Sequence, residues 1–239
     1  TDNTTQHLIA DMETLRQHLD VETWLVFGGS WGSSLALAYG IAHPERVTGF
    51  VLRGLFLCSQ KELDWFFDGI QTVFPENWRE LRNYLPEAER GDMLAAYYAR
   101  LTGENEIERM AAAKAWSMWE GRCATLHANE ALVDHFTNPH MAMAMARIEA
   151  HYFINKAFLQ PNQLTDNAYK LKDIPGTIVH GRYDMVCPVN QAFALSAAWP
   201  EARLKIIADA GHSSSEPGIT DALVSATESL AHQLGSESQ

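Results

Sequence analysis

Residues 24–40 read WLVFGGSWGSSLALAYG, and the order of residue types in this stretch decides the fold. Trp24-Leu25-Val26-Phe27 is an unbroken apolar run of the kind that forms a buried strand. It stops at Gly28-Gly29, passes through Ser30-Trp31-Gly32, and resumes as a helix that runs to about His43 and is ended by Pro44. A serine between a strand and a helix, within G-x-S-x-G, is the context of a nucleophile elbow. The tight turn forces the serine into strained backbone geometry, so side chains two residues before and after it would strike neighbouring backbone, and glycine is required there. The serine then stands at the positive end of the helix, where developing negative charge is stabilised. The competing reading is a glycine-rich tight turn capped by a serine.

The flanking sequence extends the same pattern. Leu8, Ile9, Met12, Leu15 and Leu19 recur at near-helical spacing behind cap candidates Asn3, Thr4 and Thr5, and Val47–Arg53 reads as a second strand. Helix, strand, turn, helix and strand in about 50 residues is the grammar of a parallel sheet. From 59 to 167 the pattern is helical only, with segments 77–85, 92–102, 106–126 and 140–159 broken by Pro86, Gly103 and Pro139. Alternation then resumes with a strand at Ile178-Val179, a helix over 189–199, a strand over 204–207 and a helix over 220–234. The expected organisation is an α/β core from residues 1–58 and 168–239, interrupted by an all-helical cap over 59–167.

Composition narrows the function. Thirty acidic against 18 basic residues give a formal charge of −12, which argues against nucleic-acid or anionic-membrane partners, since phosphate binding needs clustered Lys and Arg. The longest apolar stretches are far short of the roughly 20 residues that span a bilayer. Cys58, Cys123 and Cys187 form no CxxC pair and show no metal-ligand spacing, and the histidines form no HExxH. Reduced thiols, a cytoplasmic location and no metal or cofactor are expected. The chain begins at Thr1 and carries no signal-peptide pattern.

A nucleophilic serine needs a base, and the base an orienting acid. In this fold class the order is Ser, Asp or Glu, then His, each past the C-terminal end of a strand. Asp184 follows the 178–179 strand in HGRYD, and His212 follows the 204–207 strand in ADAGHS. Asp209 is a rival acid, but it lies too near His212 on one loop to be the better choice. Read singly, Asp184 could be a turn aspartate before Pro188 and His212 a loop histidine; Ser30, Asp184 and His212 together make a catalytic triad.

Five stretches carry a wider resemblance: GGSWGSSLALAYG at 28–40, WSMWEG at 116–121, ARIEAHYF at 146–153, HGRYDMVCP at 180–188 and AGHS at 210–213. With them the chain resembles the proline iminopeptidases, α/β-hydrolases of peptidase family S33. The resemblance implies a serine exopeptidase that releases N-terminal proline from peptides, with the Trp31 N–H as one oxyanion donor. It further implies that Glu120 and Glu149 hold the free amine of the substrate, with Phe153 and Phe56 packing against the pyrrolidine ring. Glu149 and Phe153 are four residues apart and so share a helical face.

The family's HGGPG-type and DQRG-type segments, which precede the region matching Thr1 onward, do not occur in this sequence. The first of these supplies the second oxyanion donor. The resemblance therefore implies a sheet lacking its N-terminal strands, and a missing segment that would be a partner if the protein is split. Trp65-Phe66-Phe67 stands where family members often have tyrosine, so a pocket hydroxyl is not expected. Two alternatives remain at this point, another S33-type esterase or amidase and a catalytically inactive α/β-hydrolase fragment that acts as a binding module.

Overall fold

Thr4 opens the first helix, its side-chain oxygen accepting the His7 N–H, in a computed structural model that describes residues 3–237. The elements in order are α1 (Thr5–His18), β1 (Trp24–Gly29), α2 (Trp31–Ala42) and β2 (Val47–Arg53), then six helices. These are α3 (Gln60–Phe67), α4 (Pro75–Asn83), α5 (Met93–Thr102), α6 (Glu106–Cys123), α7 (Glu130–Phe136) and α8 (Pro139–Ile154). The chain continues through α9 (Gln163–Asp166), β3 (Gly176–Gly181), α10 (Asn190–Ala198), β4 (Ala202–Ile207) and α11 (Pro217–Glu237). Two compact units result, one running to Ser59 and resuming at Leu159, the other spanning Gln60–Phe158.

In the α/β unit the four strands are all parallel, in the order β1-β2-β3-β4. Gly29 pairs with Arg53, Arg53 with Val179, and Gly181 with Ile207. The loops after all four strands therefore leave from the same edge of the sheet. Both faces are covered. Phe50, Leu52 and Ile178 pack with residues of α2, α9 and α10, while Val51 and Val179 pack against Ile219, Ala222 and Leu230 of α11. Alternate residues of one strand thus enter different layers, which is why Phe50, Val51 and Leu52 of β2 are apolar in succession. Each such fully buried side chain contributes about 1.5–3 kcal/mol.

The helical unit differs from expectation in local ways. α3 and α7 were not expected; both are short, and α7 is set by Asn129, whose side chain caps the Leu132 N–H. Pro139, read as a breaker, occupies the first turn of α8, where its missing N–H costs nothing, with Asn138 as cap. The expected 106–126 helix ends at Cys123. The expected 140–159 helix ends at Ile154, because Lys156, Ala157 and Phe158 all take positive φ. The α/β unit resumes at Leu159 rather than 168, since Leu159, Leu164, Ala168 and Leu171 belong to its core. Among the described residues no helix is long and apolar enough to cross a membrane.

Candidate active site

Ser30 sits at the junction of β1 and α2 with φ 55° and ψ −125°, a left-handed conformation that a non-glycine residue adopts only under constraint. The constraint is the tight reversal. A Cβ on Gly28 would lie 2.2 Å from the Gly32 carbonyl oxygen, so the strand end passes directly over the first turn of the helix. The expectation of two obligatory glycines is corrected on one side, because a Cβ on Gly32 would meet nothing within 4 Å. The Ser30 N–H donates to Arg53 O at 2.9 Å, and the Ser33 hydroxyl donates to Ser30 O at 2.6 Å. Trp31 is the first residue of α2, so its N–H belongs to the helix N-terminus.

Asp184 and His212 meet. His212 Nδ1 donates to Asp184 Oδ2 at 2.7 Å, and Asp184 Oδ1 accepts the Cys187 N–H at 2.7 Å. The two loops are fastened to each other by the Arg182 N–H on Ile207 O and the Tyr183 N–H on Ala210 O. Glu216 accepts the Gly211 N–H and so holds the histidine loop from the other side. Burial would raise the Asp184 carboxyl, but the adjacent imidazole of His212, then His180 and the Cys187 N–H, bring it below the usual carboxylate range. Asp184 is 3% exposed and His212 6%, so this pair is shielded from water. Asp209, the rival acid, is not the partner of His212.

Ser30 and His212 are not hydrogen-bonded to each other. Arg53 Nη1 occupies His212 Nε2 at 3.1 Å and also donates to His212 O at 3.1 Å. With Nδ1–H given to Asp184, Nε2 is the acceptor, and it is the atom that would take a proton from serine. Three site residues escaped the sequence reading. Arg53 is one. Gly54 is another; it takes φ +51°, and a Cβ there would lie 2.8 Å from His212 Cε1. Their signal was the Arg-Gly pair that closes an apolar strand. His180, the third, is fully buried with Nε2 3.4 Å from Asp184 Oδ2; in sequence it is only the residue that follows Ile178-Val179.

Phe56 lies in the loop after β2, buried, its N–H donating to Ser33 Oγ and its carbonyl accepting from Ser34 Oγ. It belongs to the α/β unit, whereas Glu120, Glu149 and Phe153 belong to the helical unit. There, α6 carries Glu120 and α8 carries Glu149 and Phe153. The two carboxyls are joined by a hydrogen bond, and the Trp116 indole N–H donates to Glu149 Oε2 at 2.7 Å. Rings of Phe66, Phe67, Trp116 and Phe153 contact one another at centroid distances of 5.1–6.5 Å. Glu149 as a whole is half-buried, but its carboxyl end is enclosed. Burial first, and then the neighbouring Glu120, push its pKa well above the ordinary carboxylate value. Trp116, inside the quoted WSMWEG, was missed as the residue that orients Glu149. A cavity of about 930 Å³ in the same unit is lined by Phe67, Trp78, Arg82, Phe153 and Lys156 among others, but not by the two glutamates.

Residues 1–218 match the family model for the alpha/beta hydrolase fold. A proline iminopeptidase of Xylella fastidiosa is 50% identical over 96% of this chain and 74% of its own length. The proline iminopeptidase of Arabidopsis thaliana is 49% identical over 98% of this chain and 62% of its own. The chain belongs to the proline iminopeptidase family of α/β-hydrolases. A member from Neisseria meningitidis retains 42% identity over 98% of the chain and 74% of the relative. Among solved structures, an esterase from Exiguobacterium antarcticum superposes with a TM-score of 0.63 at 19% identity, covering 97% of this chain and 75% of that one. A Bacillus anthracis hydrolase superposes at 0.60 with 18% identity, covering 94% and 73%. These two likenesses concern the fold alone, while the proline iminopeptidases match across nearly all of this chain.

Proposed function

We propose that the chain is the catalytic part of a prolyl aminopeptidase that works through an acyl-enzyme on Ser30. Ser30 attacks the prolyl carbonyl, His212 Nε2 takes the serine proton, and Asp184 holds the imidazole in the tautomer that leaves Nε2 free to accept. The amine or arylamine departs with that proton, and water then releases proline by the reverse route. For the base to act, the Arg53 guanidinium gives up Nε2 to Ser30 Oγ. The Trp31 N–H, at the start of α2, is one donor to the tetrahedral oxyanion.

The observation that carries the specificity is the carboxyl pair among aromatic rings. Any serine hydrolase needs a nucleophile, base and acid. Two buried carboxyls that cannot both ionise without a cation between them suit a substrate that brings a free amine. In this reading Glu120 and Glu149 bind the secondary ammonium of N-terminal proline, Phe153 and Phe56 contact its ring, and peptides are the substrates. Turnover of proline p-nitroanilide, with the Ser30→Ala variant as control, tests it. Release of nitroaniline by the parent and a loss of about 10⁶-fold in Ser30→Ala support the reading. Hydrolysis of p-nitrophenyl acyl esters alone overturns it.

A further inference from the structure

His180 is the penultimate residue of β3, and no part of its side chain reaches solvent. Both ring nitrogens are engaged. Nδ1 accepts the Leu55 N–H at 3.1 Å, and Nε2 lies 2.8 Å from Cys187 O. A carbonyl can only accept, so Nε2 carries the proton and Nδ1 has none. The tautomer is fixed by its two partners. A second proton on Nδ1 would oppose the Leu55 N–H, and burial independently pushes the pKa of this ring down despite the nearby Asp184.

The partners are the important part. Cys187 is gripped on both sides, its N–H by Asp184 Oδ1 and its carbonyl by His180. Leu55 joins Gly54, whose backbone packs against the His212 ring, to Phe56, whose peptide groups are bound by Ser33 and Ser34 of α2. One neutral imidazole therefore ties the turn that presents the acid to the loop that runs behind the base and beside the nucleophile helix. Its Nε2–H passes Asp184 Oδ2 at 3.4 Å, too long to compete with the 2.7 Å bond from His212.

From this geometry we infer that His180, held neutral, is a positioning residue of the reaction, setting the rotamer in which Asp184 meets His212. The inference rests on the assignment of Asp184 and His212 as the acid–base pair, and its test does not depend on prolyl specificity. His180→Gln places an amide N–H where Nε2–H stands and keeps the Cys187 latch; His180→Asn can keep only the Leu55 contact. Two readouts apply to the folded chain, the proton resonance of the Asp184–His212 hydrogen bond far downfield and the rate at which a fluorophosphonate labels Ser30.

His180→Asn is expected to move the resonance upfield or abolish it and to slow labelling by about 10–10²-fold. His180→Gln is expected to recover most of both. On proline p-nitroanilide the loss should fall on kcat with KM little changed. Unchanged resonance and labelling in a folded Asn variant overturn the inference. Independently of any variant, ¹⁵N shifts of the parent must show His180 as the Nε2–H tautomer from pH 5 to 8; a protonated Nδ1 in that range also overturns it. Failure of the parent to label at all counts against the reading of Ser30, while the Asp184–His212 resonance in the Asn and Gln variants still tests the role of His180.

Discussion

Glu149, proposed to bind the substrate amine, works against the stability of its own fold. Its carboxyl is desolvated and hydrogen-bonded to Glu120, so the folded state holds its proton more tightly than the unfolded chain does. For a carboxyl raised in this way, stability falls as pH rises from the ordinary carboxylate pKa through the elevated folded value. Glu149→Gln copies the neutral form and can still accept the Trp116 N–H. It should therefore raise Tm at pH 7–8, by about 2–4 °C per kcal/mol for a chain of this size, with the gain vanishing near pH 4. The same change should raise KM for proline p-nitroanilide, because the substrate ammonium loses its counter-charge. A Tm unaltered at pH 8 would contradict the buried ionisable pair. In the parent, KM should climb on the acid side at a pH above the normal carboxylate range, because the pair loses its charge there. Asp184→Asn, by contrast, should leave KM nearly unchanged and cut kcat by about 10⁴-fold.

At the scale of elements, two contacts hold the sheet edge and the helices in register. Glu13 of α1 accepts from Arg16 and from the Tyr39 hydroxyl of α2, which in turn accepts the Trp24 indole N–H of β1. The Arg16 bond, opposed by partial burial, lowers the Glu13 carboxyl to about 2. Being depressed, it contributes stability that is complete above the ordinary carboxylate pKa and lost as pH falls towards about 2. Tyr39→Phe removes the hinge of this network and takes the acceptor from the Trp24 indole N–H while Glu13 keeps Arg16, at a cost of about 1–3 kcal/mol, measurable by urea unfolding at pH 7. That variant should also lose part of the acid destabilisation expected from Glu13 as pH falls from 4 towards 2. The second contact is Gly54. Gly54→Ala places a methyl against the His212 ring and strains a positive φ, so kcat should drop by about 10²-fold with KM preserved. Strands and the elbow were legible because a buried parallel strand writes itself as a continuous apolar run. Glycine at 54, arginine at 53 and histidine at 180 were not, since their roles exist only once four strand ends are side by side. Short helices such as α7 were hidden because capping, not periodicity, defines them.

Over the whole molecule, the sequence reads as two kinds of construction, a parallel sheet whose strand ends carry Ser30, Asp184 and His212 and a helical unit with a buried acidic pair among rings. The chain spans about three-quarters of the length of the bacterial proline iminopeptidases it matches. Asp184 and His212 are 28 residues apart and their pairing was readable from order alone; the pairing of Glu120 with Glu149 came from the family resemblance. Periodicity could not supply it, because α6 and α8 are apolar enough that a glutamate on either reads as a solvated face. On the proposed function, a free secondary amine, and not merely an acyl group, is what this protein selects. The most direct test is the ratio of kcat/KM for proline p-nitroanilide to that for the N-acetylated compound. A preference of about 10²-fold or more for the free amine is expected, since acetylation strands the buried carboxyl pair without its cation. Equal rates on the two compounds, or a preference for the acetylated one, would contradict it.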